Sequence, residues 1–159
     1  MSSILSKSAQ RVQRLLDEFG VKLQVTEMAE STRTSQEAAD AIGCQVDQIA
    51  KSLIFKTKKT GKPVLIVASG GNRVNEKNMA NFLGEKLERA DAEFVLANTG
   101  FAIGGIPPIR RKDYAAVYMD EDLLKYEEVW AAAGTPHAVF KLSPIVLRDI
   151  AGAIIISIK

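Results

Sequence analysis

SLIFKTKKTGKPVLIVA, Ser52 to Ala68, is the stretch on which the fold turns. Ser52 to Thr57 is rich in β-forming residues. Lys58 to Lys62 is polar and contains Gly61, and Pro63 to Ala68 returns to apolar residues. Two such runs around a short glycine-bearing link predict a β-hairpin. The second run, VLIVA, has no polar residue to face water, so its strand is expected at the centre of a sheet, buried on both faces.

Working outward, the spacing of Ala9, Val12, Leu15, Leu16 and Phe19 predicts a helix over Ser8–Phe19 that Gly20 ends. VKLQVTE, Val21 to Glu27, alternates like a strand. Thr34 with Glu37 reads as a capping box opening a helix that stops at Gly43, and a helical turn is expected over Asp47–Ala50. Asn75 and Asp91 are placed to cap helices ending at Gly84 and Gly100. Ala115–Met119, Ala138–Leu142 and Ala153–Ile158 read as strands, Asp120–Lys125 as a short helix, and Ser143 with Pro144 opens another. Val129–Ala132 is left open. Short helices interleave with short strands without regular βαβ spacing. The fold expected is therefore α/β of the α+β type, with a curved, mixed and mainly antiparallel sheet or distorted barrel carrying peripheral helices.

The length, 159 residues, suits one domain over 1–159, with no internal repeat or linker. Apolar residues make up 47% and charged residues 25%, which excludes disordered and fibrous classes. A net charge of +2 neither demands nor excludes a nucleic-acid partner. The N-terminal MSSILSKSAQRVQRLL places charges where a signal peptide needs an apolar run, and no apolar run approaches the roughly 18 residues of a membrane span, so the cytoplasm is expected.

One cysteine, Cys44, and one histidine, His137, cannot build the usual zinc site, and no phosphate-binding or hydrolase motif appears. No metal and no cofactor is expected. Catalysis, if present, must rest on backbone dipoles and a placed charge. The segment for such dipoles is FAIGGIPPIRR, Phe101 to Arg111. It starts like a buried strand, then spends two glycines and two prolines in five residues. Gly104 and Gly105 permit close approach of a backbone to a ligand, while Pro107 and Pro108 stiffen the loop. A plain turn or bulge accounts for the same residues equally well.

Four segments in order, IAKSLIFK (Ile49–Lys56), PVLIVASGGNRVN (Pro63–Asn75), NTGFAIGGIPPI (Asn98–Ile109) and GTPHAVFKLSP (Gly134–Pro144), resemble the YbaK family, related to the editing domain inserted in bacterial prolyl-tRNA synthetases. The likeness runs from about Thr34 to Ile158. It implies a free-standing hydrolase that deacylates misacylated tRNA by attack of water on the aminoacyl ester. The substrate implied is tRNA(Pro) carrying Ala, Cys, Ser, Thr or 2-aminobutyrate. Aminoacyl-tRNA is the partner implied, with prolyl-tRNA synthetase as a possible second.

The family's essential lysine corresponds to Lys51, beside the terminal adenosine of the tRNA. Its G-x-x-P-x-G pattern falls on Gly105 to Arg110, with Arg110 in place of the last glycine. Catalytic roles are thus expected for Lys51 and Gly105, the latter through its N–H. Substrate-binding roles are expected for Gly104, Ile106, Pro107, Pro108, Ser69, Gly70, Thr99 and His137. Arg73, Arg110, Arg111 and Lys112 are candidates for tRNA phosphates. Without the resemblance, a solvated surface charge is the commoner meaning of Lys51, and a structural role that of His137. Two other functions stay open: a non-catalytic module binding a tRNA 3′ end or another nucleic acid, and a regulatory partner of a synthetase.

Overall fold

A computed structural model describes residues 5–159. In chain order the elements are α1 (Lys7–Glu18), β1 (Val25–Glu27), α2 (Ser35–Ile42), β2 (Ile49–Thr57), β3 (Pro63–Ser69), α3 (Glu76–Leu83) and β4 (Leu87–Arg89). There follow α4 (Ala92–Thr99), β5 (Ala116–Asp120), β6 (Val129–Ala132), β7 (Ala138–Leu142), α5 (Pro144–Ala151) and β8 (Ile154–Ile156). Two 3-10 turns, Val46–Gln48 and Glu121–Lys125, precede β2 and follow β5.

The hairpin is β2 against β3, antiparallel from Lys56↔Pro63 to Ala50↔Ser69. Thr57 is buried and organises its turn. Its carbonyl accepts from Gly61 N–H at 2.9 Å, and its hydroxyl accepts from Lys62 N–H at 2.8 Å. Gly61 has φ +67°, a left-handed conformation that favours glycine. Pro63 begins β3 where the missing N–H would face away from β2, so no ladder bond is lost.

The eight strands form one mixed sheet in the order β1-β7-β6-β2-β3-β5-β8, with β4 also on β2. Four pairings are antiparallel and three, β2–β6, β3–β5 and β5–β8, are parallel. Every residue of β3 is buried. Alternation sends Leu65 and Val67 into the main core with Val12, Leu16, Phe140 and Leu147, and sends Val64, Ile66 and Ala68 into a second core with Met79 and Tyr118. Helices α1 and α5 thus cover one face and α3 the other. Leu65→Ala should cost about 3 kcal/mol, seen as a fall in Tm of roughly 10 °C. A loss below about 1 kcal/mol would contradict the central placement of β3.

The structure departs from the expected elements in five places, the first being the final strand, expected over Ala153–Ile158 and confined to Ile154–Ile156 because β5, on which it pairs, ends at Asp120. Only Val25–Glu27 of the VKLQVTE segment pairs as a strand, because the Gln13 side chain claims the Leu23 carbonyl and the Val25 N–H, both at 2.8 Å. β2 starts at Ile49 and the preceding turn is confined to Val46–Gln48, so the turn expected over Asp47–Ala50 gives way to strand. Val129–Ala132, left open, is β6. The strand β4 was not expected at all. Among the described residues no helix is long and apolar enough to cross a membrane, and no cluster of His, Cys, Asp or Glu could hold a metal.

Candidate active site

The site begins with an interruption in the sheet. On the side of β2 away from β3, β6 pairs only with Ile49 and Ala50, and β4 only with Phe55 to Thr57. Residues Lys51 to Ile54 therefore have no strand on that side. A cleft opens there in two lobes. The smaller lobe is a chamber of about 360 Å³, walled by Ala38, Ile49, Trp130, Ala131 and Val139 and rimmed by Thr32, Arg33 and Ser35. The larger, about 550 Å³, lies toward Phe55, Arg73, Glu76 and Arg89. Lys51, Ser52, Leu53, Ile103 and Ile106 line both, and so form the waist between them.

Lys51 is half-buried. Its ammonium donates to the Asn72 carbonyl at 2.7 Å and the Gly70 carbonyl at 3.3 Å. Burial pushes its pKa below the ordinary lysine value; Arg73 nearby adds to this and Asp120 opposes it.

The carbonyls that seat Lys51 belong to the turn after β3, which is held from beneath. Buried Asp120 accepts from Ser69 N–H at 3.0 Å and from Asn72 Nδ2 at 2.8 Å through one oxygen, and from Asp122 N–H at 2.9 Å through the other. Asn72 Nδ2 also donates to Asp122 at 2.7 Å. That bond, with those from Lys159 and Lys125, holds the Asp122 carboxyl well below the usual carboxylate range. The glycines of SGGN are needed for space. A Cβ on Gly70 would lie 2.1 Å from the Val46 carbonyl oxygen, and one on Gly71 would lie 2.2 Å from Asp47 Oδ1.

The opposite wall is the glycine-proline loop. Gly104 has φ +91°, and a Cβ there would meet Arg33 Cγ at 2.7 Å. Gly105 is fully enclosed, since its Cβ position is 2.9 Å from the backbone of Gly134 and Thr135. Its N–H donates to the Ala102 carbonyl at 3.0 Å, and its own carbonyl accepts from Gly134 N–H at 2.8 Å. The N–H groups of Gly104 and Ile106 have no backbone acceptor among the described residues.

Of the residues expected from the sequence, Lys51, Gly70, Gly104 and Ile106 meet at the chamber, and Arg73 lines the larger lobe. Gly105 supports the loop from behind, with its N–H already engaged. Ser69 is buried under the turn, its hydroxyl donating to the Asp47 carbonyl at 2.7 Å. Pro108 is buried outside the linings of both lobes. Thr99 is buried at the end of α4, bonded to the Val95 and Phe101 backbone. It shares a crevice of about 60 Å³, separate from the cleft, with Pro107, Arg110 and Arg111.

Arg110 and Arg111 donate to the Gly152 and Thr99 carbonyls, and Lys112 is exposed beside them. His137 is exposed, with Nδ1 2.9 Å from the Glu30 carbonyl, and fastens the segment leading to α2. Sequence reasoning missed Ser52, Arg33, Ile103 and Asp120. Asp120 was legible only as the start of a short helix, and Ser52 only as part of a strand.

The aminoacyl-tRNA editing domain family matches residues 29–150. The uncharacterised YwhH of Bacillus subtilis is 33% identical over 125 residues, covering 79% of this chain and 79% of its own. EbsC of Enterococcus faecalis, named as a candidate Cys-tRNA(Pro)/Cys-tRNA(Cys) deacylase, is 28% identical over 134 residues, 82% of this chain and 81% of its own. A crystal structure of a candidate trans-editing enzyme for prolyl tRNA synthetase superposes with a TM-score of 0.90 at 45% identity, over 98% of this chain and 99% of that one. The fold and these likenesses agree, and the chain belongs to the aminoacyl-tRNA editing domain family.

Proposed function

We propose that the whole chain, 1–159, acts in the cytoplasm as one editing domain that hydrolyses misacylated tRNA. Its substrate is tRNA(Pro) bearing a small non-cognate amino acid, such as Ala, Cys, Ser, Thr or 2-aminobutyrate, with prolyl-tRNA synthetase as the enzyme whose errors it removes. The observation that carries this reading is the position of Lys51, a half-buried cation at the waist of a two-lobed cleft. A substrate with a small apolar end, a reactive ester and a large anionic body fits that shape. The amino acid enters the smaller chamber, walled by alanine and branched residues and by Trp130. The terminal adenosine and its phosphate lie in the larger lobe, toward Arg73 and Arg89.

In this reading water attacks the ester carbon and the ribose oxygen leaves, giving free amino acid and intact tRNA. Lys51 holds the 3′ end in register. The N–H groups of Gly104 and Ile106 supply the dipole that Gly105 was expected to give, each such donor being worth on the order of 3 kcal/mol to a developing oxyanion. Incubating the protein with tRNA(Pro) charged separately with Ala, Cys, Ser, Thr, 2-aminobutyrate and Pro tests this. One non-cognate ester should disappear rapidly while prolyl-tRNA survives. If every ester outlasts the incubation, the reading is wrong and a binding role takes its place.

A further inference from the structure

An aminoacyl ester differs from other esters by its α-amino group, which a selective site must meet with a hydrogen-bonding partner. Among the described residues, no aspartate or glutamate lines the smaller chamber, and its charged residues, Lys51 and Arg33, are both cationic. An ammonium is poorly placed there. The α-amino group titrates near neutrality, within about a unit of pH 8, so its uncharged form is accessible. A neutral –NH2 asks for one donor and one acceptor that are neutral themselves.

Of the chamber's four hydroxyls, those of Thr32 and Thr34 are spent, and that of Ser35, at the rim, is not buried. Thr32 Oγ1 donates to the Pro136 carbonyl at 3.1 Å. Thr34 Oγ1 donates to Glu37 Oε1 at 3.0 Å and accepts from Glu37 N–H at 3.1 Å. Ser52 is different. Its Oγ is buried and has no hydrogen-bond partner, the one such side-chain atom among the described residues. A buried hydroxyl without a partner destabilises a fold and calls for an explanation, which at the wall of a cleft a ligand can supply.

The backbone of Ser52 adds to this. Thr57 N–H donates to Lys62 across the hairpin, and Lys58 N–H donates to Lys86 on the other side. Strand alternation then turns the N–H and C=O of Ser52 into the opening between β6 and β4. One residue at the waist thus offers a carbonyl acceptor in the gap and a hydroxyl donor on the face of β2 that Ala50 and Ile54 share, opposite to that of Lys51.

We infer that Ser52 is the anchor for the substrate's α-amino group, its hydroxyl donating to the nitrogen and its carbonyl accepting from it. The inference rests on the editing reading given above. It is tested with tRNA(Pro) charged with alanine and with propionate, which lacks only the amino group, on wild type, Ser52→Ala and Ser52→Thr. The readout is the ratio of kcat/KM on the two esters, which does not depend on how much protein is folded. Ser52→Ala should lower that ratio about tenfold, the value of one hydrogen bond. Its rate on the propionyl ester should stay within about twofold of wild type and its Tm should be unchanged or raised, because an unpartnered hydroxyl is removed. Ser52→Thr, which keeps a hydroxyl, should keep the wild-type ratio.

An unchanged ratio in Ser52→Ala, or equal losses on both esters, overturns the assignment even if wild type is fully active. A wild type inert toward every aminoacyl-tRNA overturns the editing reading, and this inference with it.

Discussion

Lys51→Ala should lose deacylation by at least about 100-fold while melting close to wild type. The two halves of that expectation have different physical origins. The ammonium sits at the waist of the cleft and is drawn partly out of water, where a charge acts on a bound anion or a polarised ester more strongly than it would in bulk. Its removal therefore costs transition-state binding on the order of 3 kcal/mol.

The folded state loses far less. The carbonyls that accept from Lys51 belong to Gly70, which lines the cleft, and to half-buried Asn72 in the same turn, so water can replace the ammonium and the stability change should stay within about 1 kcal/mol. Lys51→Met, which keeps the apolar stem, should be as inactive as the alanine variant. Lys51→Arg should recover little, because a planar fork does not fit a seat shaped by two carbonyls for a point charge. Turnover within about twofold of wild type in Lys51→Ala would remove this residue from the chemistry. The measurement is single-turnover deacylation beside a thermal melt.

Asp120→Ala should have the larger effect on stability, about 3 kcal/mol, or a fall in Tm near 10 °C. The carboxylate is buried and accepts from three groups at once: Ser69 N–H, Asn72 Nδ2 and Asp122 N–H. Deleting it strands the Ser69 and Asp122 N–H groups, while Asn72 Nδ2 keeps its bond to Asp122. Asp120→Asn keeps the shape but must point an amide NH2 at one of those donors, so it should lie between wild type and alanine. Activity should fall with stability in both variants, since the turn they loosen carries the two carbonyls that seat Lys51. A melt of Asp120→Ala within about 2 °C of wild type would show that water replaces the carboxylate.

Much of the frame was legible in the sequence, for local reasons. VLIVA cannot face water on either side, and Gly61 marks the one link that returns the chain. Asn75, Asp91 and Ser143 each accept from an N–H in the first turn of the helix they were expected to cap. What escaped was set by partners distant in sequence. Nothing in Leu87–Arg89 announces a strand; it becomes one because β2 offers an edge there. The strand expected from Val21 is shortened by a glutamine eight residues earlier. Lys51 became a candidate through the family resemblance, and its seat could not be foreseen, because Asp120 lies 48 residues from Asn72 along the chain. Nor could the sequence place Arg110, which stands where the family pattern has its last glycine: its guanidinium donates to the Gly152 carbonyl and lines neither lobe of the cleft.

The break in pairing along β2 also bears on how a strand can keep unpaired backbone without inviting a second chain. An unpaired strand edge usually invites another chain to add to it, the first step of aggregation. Here the exposed window is Lys51 to Ile54, about 13 Å of strand at 3.3 Å per residue, stopped by β6 at one end and β4 at the other. A foreign strand of ordinary length would strike both stops before it could pair. The same gap is thus open to a small curled ligand and shut to an extended chain, a filter by length.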